Sequence, residues 1–317
     1  MSILFDGPWG QSYITPMQRA TLTVRSGQYP DALALLQLLK PITWFPPMWA
    51  FTCGAVSSGV PILEQPFTLI LGILLVGPLV CGASQIVNDW FDRDVDAINE
   101  PDRPIPSGRV PGNCALYFAV VWSLLSLAWA ALLGTWVLIA TAAGIILAWL
   151  YSAPPVRLKM NGWFGNAAVG ISYEGLAWVT GCAVLLGGTM PSYPVLVVAG
   201  LYSVGAHGIM TLNDFKSVDG DRALGIRSLP AQLGFKRSAV LACQIMFLAQ
   251  AGVIFLLLLW NYSSHALLVS SVLALQVLAM LRLLKDPKGL APWYNATGVT
   301  LYVIGMMISA IALRGMV

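Results

Sequence analysis

Two acidic clusters carry the chemistry this chain could do: Asn88, Asp89, Asp92 and Asp96 in its first half, and Asn213, Asp214, Asp219 and Asp221 in its second. Each opens with Asn-Asp at the end of an apolar stretch. Asp89, Asp92 and Asp96 follow an i, i+3, i+7 spacing, so a helix continuing through them stacks all three on one face. Asp214 and Asp221 repeat the seven-residue interval, with Asp219 on the flank or in a loop. Like charges so spaced repel unless something cationic lies between them. Hard carboxylate oxygens favour Mg2+, which keeps waters and shares its shell with substrate phosphates. Two facing sets would therefore clamp a diphosphate through bridging metals. The plain alternative is a pair of solvated helix ends, against which the two matched Asn-Asp openings weigh.

The elements that position these clusters follow from composition. Of 317 residues, 57% are hydrophobic and only 10% charged, with a mean hydropathy of +0.75. That exceeds what a soluble core can use and defines an all-α polytopic membrane protein. Stretches of about 20 apolar residues, the length that crosses a bilayer, fall near 41–59, 67–88, 114–133, 136–152, 166–187, 193–212, 239–260, 265–282 and 295–313. Nine transmembrane helices around a central cavity are expected. Sixteen of the 17 Lys and Arg residues then fall on one face, and Arg314 alone on the other. The positive-inside rule puts the N-terminus and both acidic clusters in the cytoplasm and the C-terminus on the opposite side.

Residues 1–40 read as a cytoplasmic segment in which Asp31–Lys40 (DALALLQLLK) forms a short interfacial helix. Residues 41–317 read as one membrane domain. Met1–Lys40 holds no apolar core beside a small-residue cleavage site, so no cleaved leader is expected. Five cysteines without a CxxC read as buried thiols rather than a zinc site. The net charge of +3 suits anionic membrane lipid, with no nucleic-acid partner expected.

NDWFDRDVDAINEPDRPIPSGR (Asn88–Arg109) and NDFKSVDGDRALGIRSLP (Asn213–Pro230) resemble the two aspartate-rich motifs of the UbiA-type intramembrane prenyltransferases. NEPDRPIPSG, YSAPPVRLKMNGWFGN (Tyr151–Asn166) and the GDR…SLP ending resemble its chlorophyll synthase branch, and the resemblance runs along almost the whole chain from Lys40. GAHGIMTLNDFK and PWYNATGVTLYVIGMM are closer to the bacteriochlorophyll synthases of phototrophic bacteria. The resemblance implies a Mg2+-dependent esterification in bacteriochlorophyll biosynthesis. The propionate of bacteriochlorophyllide, or of chlorophyllide, would be joined to a geranylgeranyl or phytyl group from its diphosphate. It further implies a bacterial inner or intracytoplasmic membrane, with pigment-biosynthesis or photosystem-assembly proteins as candidate partners.

By motif match, Asn88, Asp89, Asp92, Asp96, Asp214 and Asp221 are the metal and diphosphate residues, joined by Asp219 as a metal ligand and Asn213 as a substrate contact. The second motif departs from a simpler DxxxD, which leaves its exact ligands open. Arg103, Arg157, Lys159, Lys216 and Arg222 would reach the diphosphate oxygens, Arg as a bidentate fork and Lys as a point charge. Each also serves as a positive-inside topology signal. Pro104 and Pro106 would stiffen the intervening loop into a lid. An acceptor carboxylate is already ionised near neutral pH, so positioning matters more than a general base. That suits a chain with two histidines.

Two polar groups fall inside spans. Glu174 is a substrate-site candidate because an intramembrane carboxyl is costly, or else makes a structural hydrogen bond or stays protonated. His207, seven residues before Asp214, would offer an axial ligand to the macrocycle's central metal, or else an interhelical hydrogen bond. Two other activities share parts of this pattern. Prenylation of a phenolic quinone precursor uses the aspartates but lacks YSAPPVRLK and GDR…SLP in this form. A divalent-cation carrier would line both ends of its path with acids, whereas Glu64 alone faces the far side.

Overall fold

Without water to satisfy a backbone inside hydrocarbon, each apolar stretch must close its hydrogen bonds within a helix. The computed structural model describes residues 30–316, and among them it is helical, with one isolated β-bridge. Helix α1 (Ala32–Leu38) starts at Asp31, whose carboxylate accepts from the Leu33 N–H. Helix α2 (Phe45–Ser57) follows a 3-10 turn at Pro41–Thr43. Next come α3 (Pro66–Asn99), α4 (Cys114–Leu133), α5 (Thr135–Ser152), α6 (Gly162–Leu185) and α7 (Tyr193–Asn213). A short α8 (Val218–Ala223) precedes α9 (Leu229–Leu259), α10 (Ser263–Leu283) and α11 (Pro287–Leu313).

Among the described residues eight helices are long and apolar enough to cross a membrane. The ninth expected span, 41–59, is shorter than its apolar stretch. Prolines at 46 and 47 start α2 late, and Ser58 and Gly59, the latter at φ 77°, end it before Pro61. Thirteen residues at 1.5 Å each make a helix of about 20 Å, against a hydrocarbon core of about 30 Å. The nine-helix expectation thus stands as eight spanning helices and one shorter one. The first 29 residues of the expected 1–40 segment, Arg19 and Arg25 with them, lie outside the described residues.

Two helices are wider than expected at mid-depth. Leu75–Cys81 in α3 and Ile171–Leu176 in α6 each wind as a π-helix. Pro78 lies within the first, where its missing N–H interrupts the α-helical ladder. Helix α9 begins ten residues before its expected apolar stretch and bends at Gly234, whose φ of 75° no ordinary helical residue adopts.

Helix backbones meet closely where α2 crosses α6. A Cβ built on Gly54 would stand 1.9 Å from the Trp178 carbonyl oxygen, and one on Gly181 would stand 1.9 Å from that of Phe51. Small residues at such a crossing let two backbones meet, which is how helices associate where no hydrophobic effect separates protein from lipid. Trp178 then stacks on Tyr202 at 5.7 Å, and Tyr302 meets Tyr202 edge-on at 5.3 Å. Tyr302 donates to the Tyr202 carbonyl at 2.9 Å, which satisfies a buried hydroxyl and ties α7 to α11.

Candidate active site

Helix α3 continues past its apolar segment to Asn99 and so carries Asp89, Asp92 and Asp96. Each carboxylate meets a cation from a different part of the chain. The Lys40 ammonium donates to Asp89 at 2.6 Å. Arg103 donates to Asp96 at 2.8 Å, lies 3.6 Å from Asp89, and forks onto both oxygens of Glu100. Asp92 accepts from Arg157 at 3.2 Å and from Lys159 at 2.5 Å. Lys40 and Arg157 both sit in left-handed backbone, at φ 45° and 42°. Such strain in a non-glycine residue persists only where its surroundings fix it. Here it aims a cation at an aspartate.

These contacts set the charge states of the loop cations. Burial pushes the Lys159 ammonium below the usual lysine range, and the attraction of Asp92 restores only part of that. Burial also acts against Arg103, but hydrogen bonds and charge from Glu100, Asp96 and Asp89 outweigh it and raise its pKa. Arg103 therefore stays a cation at any pH near neutral. The loop that holds Arg103 is pinned to α1: Arg109 donates to the Gln37 side chain at 2.7 Å, and the Asp31 N–H to the Arg109 carbonyl at 3.2 Å.

The second motif is built differently. Asp214 starts a 3-10 turn and Asp221 lies in α8, so the two do not share one helical face. Asp214 accepts from Asn166 at 3.3 Å, and Asp221 from Ser217 at 3.1 Å and Ser228 at 2.5 Å. The Asn295 side-chain amide donates to the Asn213 side-chain oxygen Oδ1 at 2.8 Å. The Tyr151–Asn166 stretch joins the two motifs: Asn161 and Arg227 form the isolated bridge, with Gly162 N–H donating to the Arg227 carbonyl at 2.8 Å.

Beneath the motifs lies a cavity of about 440 Å3 walled by α2, α3, α5, α6 and α7. Asn88, Asn213 and Tyr151 line it, as do Gln85, Tyr173 and Glu174. Tyr173 ties the two π-helical segments together, accepting from Gln85 at 3.0 Å and meeting the Cys81 thiol at 3.4 Å. The rest of the cavity wall is mostly apolar, with Val76, Val80, Leu147, Leu176 and Ala206 among it.

Several expected residues stand apart from this assembly. Lys216, Asp219 and Arg222 are exposed, and Arg222 reaches only the Ala231 carbonyl, at 3.5 Å. The break in helix at Ser217 turns Asp219 outward. His207 packs its ring 5.5 Å from that of Trp163, while its neighbours Ala206, Ile209 and Met210 line the cavity. Conversely, Lys40, Asn166 and Ser228 bond to motif carboxylates and Tyr151 lines the cavity below them, and none of the four is a site candidate by sequence. The last three lie inside the YSAPPVRLKMNGWFGN and SLP stretches, so the motif carried the signal. By sequence, Lys40 is only one of the sixteen cations on one face.

The donor set suits a hard divalent cation: five aspartates and two asparagine amides offer oxygen, with no thiol or imidazole beside them. Among the described residues no three acidic, His or Cys side chains converge on one point. Each first-motif aspartate is instead paired with Lys or Arg through one of its two oxygens. A diphosphate would compete for those same cations and free carboxylate oxygens to bind metal.

A bundle of spanning helices with paired Asn-Asp motifs above a central cavity defines a membrane-embedded prenyltransferase. The chain belongs to the UbiA prenyltransferase family, whose model matches residues 40–310. Within the family it stands beside the bacteriochlorophyll synthases. It is 56% identical over 288 residues to the bacteriochlorophyll synthase 33 kDa chain of Rhodobacter capsulatus, covering 90% of this chain and 95% of that one. A solved structure described as digeranylgeranylglyceryl phosphate synthase superposes with a TM-score of 0.68 at 25% identity, over 88% of this chain and 98% of the other. A UbiA homolog from Archaeoglobus fulgidus, solved bound to GPP and Mg2+, shares the fold with a TM-score of 0.66 at 18% identity, over 86% and 99% of the two chains.

Proposed function

We propose that the protein esterifies the propionate of bacteriochlorophyllide a with a geranylgeranyl or phytyl group from the corresponding diphosphate, releasing diphosphate. The observation that carries this reading is the convergence of Asn88, Asn213 and Tyr151 on the rim of one apolar cavity, under four cations held by the first motif. The kinship with the Rhodobacter capsulatus protein supports the acceptor. By the same topology argument as above, we place the motif end and the N-terminus in the cytoplasm and treat residues 41–317 as the catalytic domain.

In this reading Asp89, Asp92, Asp96, Asp214 and Asp221 hold Mg2+, with Asn88 and Asn213 beside them. The bound metal supplies Lewis-acid stabilisation of the departing diphosphate. Arg103, Arg157 and Lys159 neutralise the charge that develops on the leaving oxygen as the C–O bond breaks. The acceptor carboxylate then attacks the allylic carbon. It needs no base, because it is ionised from the start. The apolar walls exclude water, which would otherwise capture the cation and yield a free alcohol.

The test is a membrane assay with bacteriochlorophyllide and geranylgeranyl diphosphate, with and without Mg2+, read by reverse-phase chromatography. A late-eluting esterified pigment that forms only with Mg2+ is the expected result. Absence of product with either bacteriochlorophyllide or chlorophyllide, in membranes where phytyl diphosphate has also been tried, rejects the pigment acceptor and favours a phenolic one.

A further inference from the structure

The cavity has a second polar pole that the transfer chemistry does not use. Glu174 lines its wall at 7% exposure, and its carboxyl has neither a hydrogen bond nor an ion pair among the described residues. Thr141 lines the same cavity at 2% exposure, and its hydroxyl also has no partner. Most buried Thr hydroxyls in spanning helices back-bond to the carbonyl four residues earlier, as Thr180 and Thr211 do here at 2.7 and 2.9 Å. Thr141 does not. Glu174 lies in the π-helical turn Ile171–Leu176, a geometry that re-aims side chains and recurs at functional sites.

Depth separates this pole from the reacting end. Thr141 lies ten residues before Tyr151 on α5, about 15 Å along the axis at 1.5 Å per residue. Glu174 lies twelve residues beyond Gly162 on α6, about 18 Å from the loop that joins the motifs. An unpartnered carboxyl and hydroxyl buried at mid-membrane are costly unless the cavity's occupant satisfies them. A prenyl tail is pure hydrocarbon and offers them nothing. A flat macrocycle with polar substituents on its rim offers a hydrogen-bonding group on the side away from its propionate.

We infer that Glu174 and Thr141 bind the far rim of the acceptor macrocycle, so that the central cavity is the acceptor's site and the prenyl tail runs elsewhere. This rests on the pigment-esterification reading. The two residues are specificity determinants and take no part in bond making.

The full-length protein in lipid nanodiscs, with KM measured separately for the pigment and for geranylgeranyl diphosphate, tests the assignment. Glu174→Leu should raise the pigment KM about tenfold, the loss of one good hydrogen bond, and Thr141→Val roughly threefold. The prenyl diphosphate KM should not move in either. Glu174→Gln, which keeps shape and hydrogen-bonding capacity, should fall between wild type and Glu174→Leu, and it carries the test with Thr141→Val if the leucine variant does not fold. Titration of the pigment's visible absorption without any prenyl donor should show the same order of affinities. A rise in the donor KM with the pigment KM unchanged would put the tail in the cavity and overturn the assignment, as would no change in either. If the wild-type protein esterifies no pigment, the functional reading itself fails. If it does and the variants match it, only the acceptor-pole assignment fails.

Discussion

The Lys40 ammonium lies 2.6 Å from the Asp89 carboxylate, a contact made across 49 residues by the last residue before α2's leading turn. The carboxylate is nearly buried, and Lys40 is turned toward it by a left-handed backbone at φ 45°. A charge held this way serves either to keep Asp89 ionised or to receive a phosphate oxygen. Lys40→Met should raise the KM for prenyl diphosphate by roughly tenfold or more, the worth of a charge-assisted hydrogen bond. Lys40→Arg should retain most of the affinity. Initial-rate kinetics against the donor distinguish these outcomes, and an unchanged KM in Lys40→Met would remove Lys40 from the site.

Neutral substitution of the acids comes next. Asp89→Asn, Asp92→Asn and Asp214→Asn keep volume and remove only charge. Each should lower turnover by about a hundredfold or more, in line with the loss of a key electrostatic group from a preorganised site. Thermal unfolding should stay close to that of the wild type. Asp219→Asn should be near neutral, because Asp219 faces solvent in the first turn of α8. A severe loss in Asp219→Asn would mean that the second motif rearranges on binding.

Ser228, in the SLP ending of the second motif, donates to Asp221 at 2.5 Å. Ser228→Ala should leave the carboxylate in place through Ser217 but free it to rotate. Outer hydrogen bonds of this kind typically cost 10–100-fold in metal affinity or activity when lost, so about a tenfold drop in kcat/KM is expected. Extra Mg2+ should restore part of it. Rescue by metal separates an orienting role from a purely structural one.

Chelation should abolish turnover, and Mg2+ should restore it. Mn2+ should substitute in part, since it accepts the same oxygen donors, whereas Ca2+, with longer bonds and a larger shell, should support little. Activity that survives exhaustive chelation would contradict the assignment of these aspartates.

The crossing of α2 and α6 provides a test of the fold. Gly54→Ala places a methyl 1.9 Å from the Trp178 carbonyl, so the helices must part, at a cost of roughly 1–3 kcal/mol from overpacking alone. Gly200→Ala meets nothing within 4 Å and serves as the control. Thermal melts in detergent should show a clear drop for the first and none for the second.

Much of this was readable in the chain because hydrocarbon leaves few choices. Spans that must satisfy their own backbone reveal their number and near-ends, and the i, i+3, i+7 spacing of Asp89, Asp92 and Asp96 announced the helix that carries them. The interval between Asp214 and Asp221 misled for a physical reason. A 3-10 turn and a break at Ser217 intervene, so equal sequence spacing does not mean a shared face. Lys40 and Tyr151 were hidden because their roles depend on tertiary approach. So was the depth of α2, where prolines shorten the helix inside a longer apolar run. His207 stands seven residues before Asp214 in sequence, and its ring rests against Trp163.

The ion pairs of the first motif can also be counted as a ledger of charge. Lys40, Arg103, Arg157 and Lys159 stand against Asp89, Asp92, Asp96 and Glu100. Four positive groups face four negative ones, so this end of the bundle presents no net field to a distant polyanion. A diphosphate ester gains little from long-range attraction here and must bring its own counter-ions. The donor then enters as a metal complex rather than as a bare anion. Its capture should follow the concentration of that complex, with only a weak dependence on ionic strength.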